Sequence, residues 1–128
     1  MHSSNRQISS NTDIYLVDTF GETKSFLKLS KIAFMGKSIY AHGGQNPLEA
    51  ARFGNRIVCG PNIENFVEVY DFLEKVGIST KIKSYKDLEN LVVKFDRKKN
   101  YSQQIIKKLT YIGNEILLKN EKEINKYL

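Results

Sequence analysis

The sequence predicts an α/β fold, a three-layer α/β/α domain on a short parallel sheet, and three observations carry that prediction. Short apolar runs, Ile14-Tyr15-Leu16-Val17, Ile32-Ala33-Phe34-Met35 and Arg56-Ile57-Val58-Cys59, recur along the chain. Each ends on a turn signal: Asp18-Thr19-Phe20-Gly21, Gly36, and Gly60-Pro61. Each is then followed by a stretch with helical periodicity, so the repeat is β-α-β-α, which implies parallel strands, right-handed crossovers and helices on the sheet faces.

In order, residues 1–12 are polar and without period, and read as a flexible tail or linker remnant before a domain spanning 13–128. Ile14–Val17 reads as a buried strand. Thr19 and Glu22 then have the spacing of a capping box and open a helix to about Leu29, offering Phe26, Leu27 and Leu29 to the core. Ile32–Met35 is the second strand. A loop with three glycines follows, then a helix from Asn46 to about Phe53, with Gly54 where a left-handed cap is expected. Arg56–Cys59 is the third strand. Asn65 and Glu68 repeat the capping spacing before a helix whose Phe66, Val69, Tyr70, Leu73 and Val76 share one face. Ser79–Lys83 reads as a short peripheral strand and Ser84 to about Phe95 as a helix. After Arg97-Lys98-Lys99-Asn100 a long helix begins near Tyr101, with Tyr101, Ile105, Leu109, Ile112 and Ile116 as an apolar stripe. Three confident strands and one weak one make a short sheet, so the chain is expected to be part of a larger protein or to rely on a partner.

Bulk properties narrow the classes. At 128 residues the chain is one domain able to bury a core. No apolar run approaches the ~18 residues of a spanning helix. Met1–Thr12 has no apolar centre, so no signal peptide is expected there. A single cysteine, Cys59, excludes an internal disulfide and fits a reducing compartment, making cytoplasm the expectation. The net charge of +6 is uneven: residues 1–80 hold 8 basic and 8 acidic side chains, and residues 81–128 hold 12 against 6, which is the whole excess. That end is either a solvated lysine-rich face or a surface for an anionic partner. It lacks an aromatic-interleaved or helix-turn-helix signal, so nucleic acid is not expected.

The stretch most suited to a ligand is His42-Gly43-Gly44-Gln45-Asn46-Pro47-Leu48-Glu49. Two glycines admit positive φ and close approach of a ligand. Asn46 suits an N-cap, Pro47 the first helical position, and Glu49 the third, where it closes a capping box or reaches a ribose. A glycine loop entering a helix presents N–H groups to a phosphate, although the same pattern is also an ordinary helix start. It is neither a Walker loop nor a G-x-G-x-x-G motif. His42 is either a surface residue or a donor to a phosphate or sugar oxygen. With two histidines and one cysteine, no metal set and no cofactor are expected. Cys59 reads as a small apolar strand residue.

Four blocks in order, Asp18-Thr19-Phe20-Gly21-Glu22, Ala33-Phe34-Met35-Gly36-Lys37-Ser38, His42–Glu49, and Gly60-Pro61 with Asn65-Phe66, resemble the carboxyl-terminal domain of the Kdo (3-deoxy-D-manno-octulosonic acid) transferases. The resemblance covers about Ile14 to Val76. It implies a Rossmann-like domain, the carboxyl-terminal half of a two-domain GT-B glycosyltransferase that moves Kdo from CMP-Kdo to a lipid A precursor without a bound metal. It further implies that Gly43, Gly44, Gln45 and Asn46, with His42, face the donor phosphate and Glu49 its ribose. Gly36, Ser38, Gly60, Asn65 and the turn Thr19, Gly21, Glu22 would line the same edge. The catalytic base and the acceptor surface would lie in an amino-terminal domain outside this chain, and the protein would sit at the cytoplasmic face of the inner membrane. Lys37 departs from the family pattern, which usually has glycine there. A domain for a UDP-type donor and a non-catalytic interaction module are the alternatives.

Overall fold

A computed structural model of the chain describes residues 8–95 and 101–127. The elements in order are α1 (Thr23–Leu29), β1 (Ile32–Met35), α2 (Leu48–Arg52), β2 (Arg56–Cys59), a single 3-10 turn (Glu64–Phe66) running into α3 (Val67–Lys75), β3 (Ser79–Lys81), α4 (Tyr85–Val93) and α5 (Tyr101–Ile124). The three strands form one parallel sheet in the order β1-β2-β3. Ile32 pairs with Arg56, Met35 with Cys59, and Ile57 with Ser79. The expected α/β class and short parallel sheet are therefore observed.

Side chains alternate across the pleat. Ile57 and Cys59 of β2 join Ala50 and Ala51 of α2, Tyr70 and Leu73 of α3, Ile105 of α5, and the loop residues Ile63 and Ile78 in one buried cluster. Ala33 and Met35 of β1 pack against that cluster. Val58, between Ile57 and Cys59, is buried on the opposite face, the face to which its partner Phe34 of β1 also points. The core thus sits on the side of the sheet covered by α2, α3 and α5. The helical face of Phe66, Val69, Tyr70, Leu73 and Val76 packs as its spacing predicts. Burial lifts the Tyr70 phenol above its ordinary value and pushes the Cys59 thiol up to about 11. Cys59 is thus a core residue, as its strand position suggests.

Four expectations are corrected. Ile14–Val17 is not a strand. Tyr15 lies against Phe26 of α1 at 6.1 Å between ring centroids, but Ile14 is 88% and Leu16 54% exposed. A strand flanking a parallel sheet needs a ladder partner and cover on both faces, and this segment has cover on one face only. Leu29 is exposed, because α1 turns only Phe26 and Leu27 toward the protein. On α5 the apolar stripe is buried or half-buried from Tyr101 to Ile112 and then leaves the body, so Ile116 is exposed. The glycine-loop helix is five residues long, not eight, because Pro47 and the loop hold the chain until Leu48. The expected turn Arg97–Asn100 lies outside the described residues, as does most of the tail expected at 1–12.

Two capping expectations also resolve differently. Thr19 donates its hydroxyl to the Glu22 carboxylate, and α1 opens only after the pair, at Thr23. Asn65 and Glu68 do not cap; the 3-10 turn takes that place and α3 begins after Phe66. The box that does form is Ser84 with Asp87 at the start of α4, where each side chain accepts from the other's backbone N–H.

Candidate functional site

In a parallel sheet the loops leaving the carboxyl ends of the strands gather on one edge, and that edge is the usual ligand crevice. Here it is made by residues 36–47 after β1 and residues 60–66 after β2. Ser38 ties the two loops together from inside. It is fully buried, donates to the Met35 carbonyl (2.5 Å), and accepts from the Gly60 N–H (2.8 Å). Its own carbonyl accepts from Asn62 N–H at 2.9 Å. The Asn62 side chain adds a bond to the Ile39 carbonyl. A Cβ on Gly60 would sit 2.1 Å from the Ser38 carbonyl oxygen, so only glycine lets the loops approach this closely. Ser38 and Gly60 therefore build the edge, with their polar groups turned toward each other.

The turn between β1 and Ser38 meets the sequence departure noted above. Lys37 is the one described non-glycine residue with positive φ (+62°), the conformation a glycine would take there. Gly36 has room around it and no positive φ. The chain thus keeps the turn and bears the strain of a side chain in it, of order 1–2 kcal/mol.

The glycine loop has the backbone its sequence predicts. Gly43 (φ +95°) and Gly44 (φ +64°) both occupy conformations that favour glycine. A Cβ on Gly44 would press on the backbone of Asn62 and Ile63 at 3.1 Å, and one on Gly43 would meet the Asn65 amide nitrogen at 2.8 Å. Asn65 thus belongs to this edge through its side chain. Gln45 is held by its carbonyl, which accepts from the buried Tyr70 hydroxyl at 2.8 Å. Asn46 is not the N-cap expected of it: α2 begins at Leu48 with Pro47 in the cap position and no side-chain cap bond, and Asn46 Oδ1 instead closes a local turn by accepting from Leu48 N–H at 3.0 Å. Glu49 does not close the box; its half-exposed carboxylate stands 4.0 Å from Lys24 of α1. With only five residues, α2 is too short to offer a helix dipole, so the donors this loop presents are its own glycine N–H groups.

One residue at the centre of this edge is not singled out by the sequence. Glu64 accepts from the Gly43 N–H at 2.8 Å through Oε2, and its Oε1 lies 3.3 Å from His42 Nδ1. Its own backbone N–H, then Gly43 N–H, then His42 hold the carboxyl below the ordinary glutamate value. The only hint in the chain is an acidic residue just before Asn65; the contact spans 21 residues, so no local spacing encodes it. His42 is otherwise exposed. Beside the third expected loop, with Thr19, Gly21 and Glu22, the Lys24–Glu49 pair two residues beyond it links α1 to α2. Gly21 has positive φ (+87°) but nothing near it.

The fold and this edge define a half-Rossmann α/β domain with a glycine-built ligand crevice. No family model matches the chain. Its sequence is 32% identical over 127 residues to the 3-deoxy-D-manno-octulosonic acid transferase of Haemophilus influenzae, covering 98% of this chain and 29% of that protein. It is 39% identical over 80 residues to the 3-deoxy-D-manno-octulosonic acid transferase of Rickettsia prowazekii, covering 62% of this chain and 17% of that protein. Its structure is similar to the crystal structure of the C-terminal CMP-Kdo binding domain of WaaA from Acinetobacter baumannii, with a TM-score of 0.73 and 23% identity, covering 82% of this chain and 55% of that one. The chain belongs to the Kdo transferase family. It spans less than a third of the length of these curated relatives.

Proposed function

We propose that this chain is the donor-binding domain of a Kdo transferase, taking CMP-Kdo at the glycine edge for transfer of Kdo to a lipid A precursor in lipopolysaccharide biosynthesis. The observation that carries the reading is the pair Gly43 and Gly44, both at positive φ on the carboxyl edge of a parallel sheet and packed against Asn62, Ile63 and Asn65 of the neighbouring loop. A likeness to Kdo transferases running along almost the whole chain supports the identity of the donor. In this reading the N–H groups of Gly43 and Gly44 bind the phosphate, Asn65 and His42 flank it, and Glu49 accepts from the ribose hydroxyls. Ser38 and Gly60 shape the crevice without touching the donor. The acceptor and the catalytic base belong to another domain of the transferase, so this chain alone binds donor and does not turn it over.

The lysine-rich end favours a place beside an anionic membrane at the cytoplasmic face. Each suitably placed Lys or Arg there contributes roughly 1 kcal/mol. No helix among the described residues is long and apolar enough to cross a membrane.

Titration with CMP and with UDP, followed by amide shifts at Gly43, Gly44 and Glu49, tests the donor. CMP is expected to move all three at lower concentration than UDP. Preference for UDP points to another nucleotide-sugar, and silence with both removes the donor role. A Glu49→Ala variant that binds CMP as tightly as the parent would refute the ribose contact.

A further inference from the structure

We infer that Glu64 is an internal surrogate anion: its carboxylate occupies the glycine-loop seat in the unliganded chain, and an incoming phosphate must displace it. This deepens the donor reading of the same edge and rests on it. Three observations converge. Glu64 Oε2 sits 2.8 Å from Gly43 N, at a contact position that a phosphate oxygen would take on that N–H. The same carboxylate reaches His42 at 3.3 Å, so it engages two of the groups available to an anion at once. The side chain is 54% exposed and lies outside the buried core cluster, so it can swing toward solvent without disturbing the core.

Displacement has a chemical consequence. A ligand anion gains the Gly43 N–H only by competing with a carboxylate tethered beside it, so Glu64 weakens the binding of any phosphate at the seat, the singly charged phosphodiester of the donor included. Nucleosides without a phosphate are not selected against, because they do not need that N–H.

The test uses the full chain and Glu64→Gln, which keeps the shape and removes the charge. Glu68→Gln serves as the control: it deletes an equal charge a few residues on, at the start of α3. CMP, cytidine and inorganic phosphate are titrated against all three proteins, with the Gly43 amide as reporter. The expected result is CMP binding about 5–10-fold tighter for Glu64→Gln, a difference of roughly 1–1.4 kcal/mol, with cytidine unchanged and Glu68→Gln close to the parent. Equal or weaker CMP binding by Glu64→Gln overturns the inference, and so does an equal gain in Glu68→Gln, which would reduce the effect to bulk charge. Should none of the proteins bind CMP, the donor reading fails. Inorganic phosphate then decides the surrogate role: a larger Gly43 shift in Glu64→Gln than in Glu68→Gln upholds it, and equal shifts refute it.

Discussion

Two turns of this chain are built from the same materials and end up as different objects. The turn after β1, residues 36–45, and the turn at 18–22 each combine glycine and small polar side chains ahead of a helix. The first is tied to the loop after β2 by Ser38, Asn62 and Glu64, and a Cβ on Gly44 would meet backbone, and one on Gly43 the Asn65 side chain, at close range. The second is exposed: Phe20 has no cover at all, and Gly21 has nothing within 4 Å of where a Cβ would be. Local chemistry offers a turn in both cases. A neighbouring strand, present beside β1 and missing beside 14–17, decides which turn becomes part of an edge.

The largest expected effect that sharpens this contrast comes from alanine at the two glycines. Gly60→Ala puts a methyl 2.1 Å from the Ser38 carbonyl, and backbone must move to relieve it. The cost is about 3 kcal/mol or more, at the upper end for overpacking. Gly21→Ala meets no atom and bears only the strain of its positive φ, about 1 kcal/mol. Thermal melts separate the two, at roughly 4–8 °C per kcal/mol for a domain near this size. Equal shifts would mean that the two turns are not different in kind.

Ser38→Ala comes next. It removes the acceptor for the buried Gly60 N–H and a bond to the Met35 carbonyl, at about 1–3 kcal/mol. Thr19→Ala, which breaks an exposed side-chain pair in the other turn, is expected within about 0.5 kcal/mol of the parent. Denaturant midpoints at constant slope read both.

A smaller effect in the first turn depends on pH. The Glu64 carboxyl is held below its ordinary value, first by its own backbone N–H and then by Gly43 N–H and His42. Such a group stabilises the fold above its unfolded-state value and loses that contribution as pH falls through the lower folded value. The Gly43 amide should therefore titrate with a midpoint below an ordinary glutamate. Because the group is exposed, the change in global stability is small. A Gly43 midpoint at or above the ordinary value would break the contact on which the surrogate-anion inference stands.

The parallel class of the sheet, the strands β1 and β2, the short β3 and the positive φ at Gly43, Gly44 and Gly54 were legible because each depends on residues close in sequence: apolar runs of strand length, and glycines placed where turns need them. The ligand edge was legible as a set of loops but not as a structure. Ser38 reads as one more polar loop residue, yet it is the buried tie, since its partner is 22 residues away. Glu64 was invisible for the same reason. Capping was read worst, because Thr19 and Glu49 found competing partners, the Glu22 side chain and Lys24, and a 3-10 turn replaced the helix start at Asn65. The one full box, Ser84 with Asp87, stands on α4, where no second loop competes for those side chains.

The apolar run 14–17 gives the most informative test, since its expected effect is close to zero. Were Leu16 buried in the sheet, its loss would cost about 2–5 kcal/mol, as Ile57→Ala should in the core cluster. With Leu16 54% exposed, Leu16→Ser is expected within about 0.5 kcal/mol of the parent. Tyr15→Ser should cost more than Leu16→Ser, because the Tyr15 ring lies against Phe26. That order, Ile57 far above Tyr15 and Tyr15 above Leu16, distinguishes a segment leaning on α1 from a strand in the sheet. A cost for Leu16→Ser near that of Ile57→Ala would place the segment in the ladder beside β1 and would make the two turns equivalent after all.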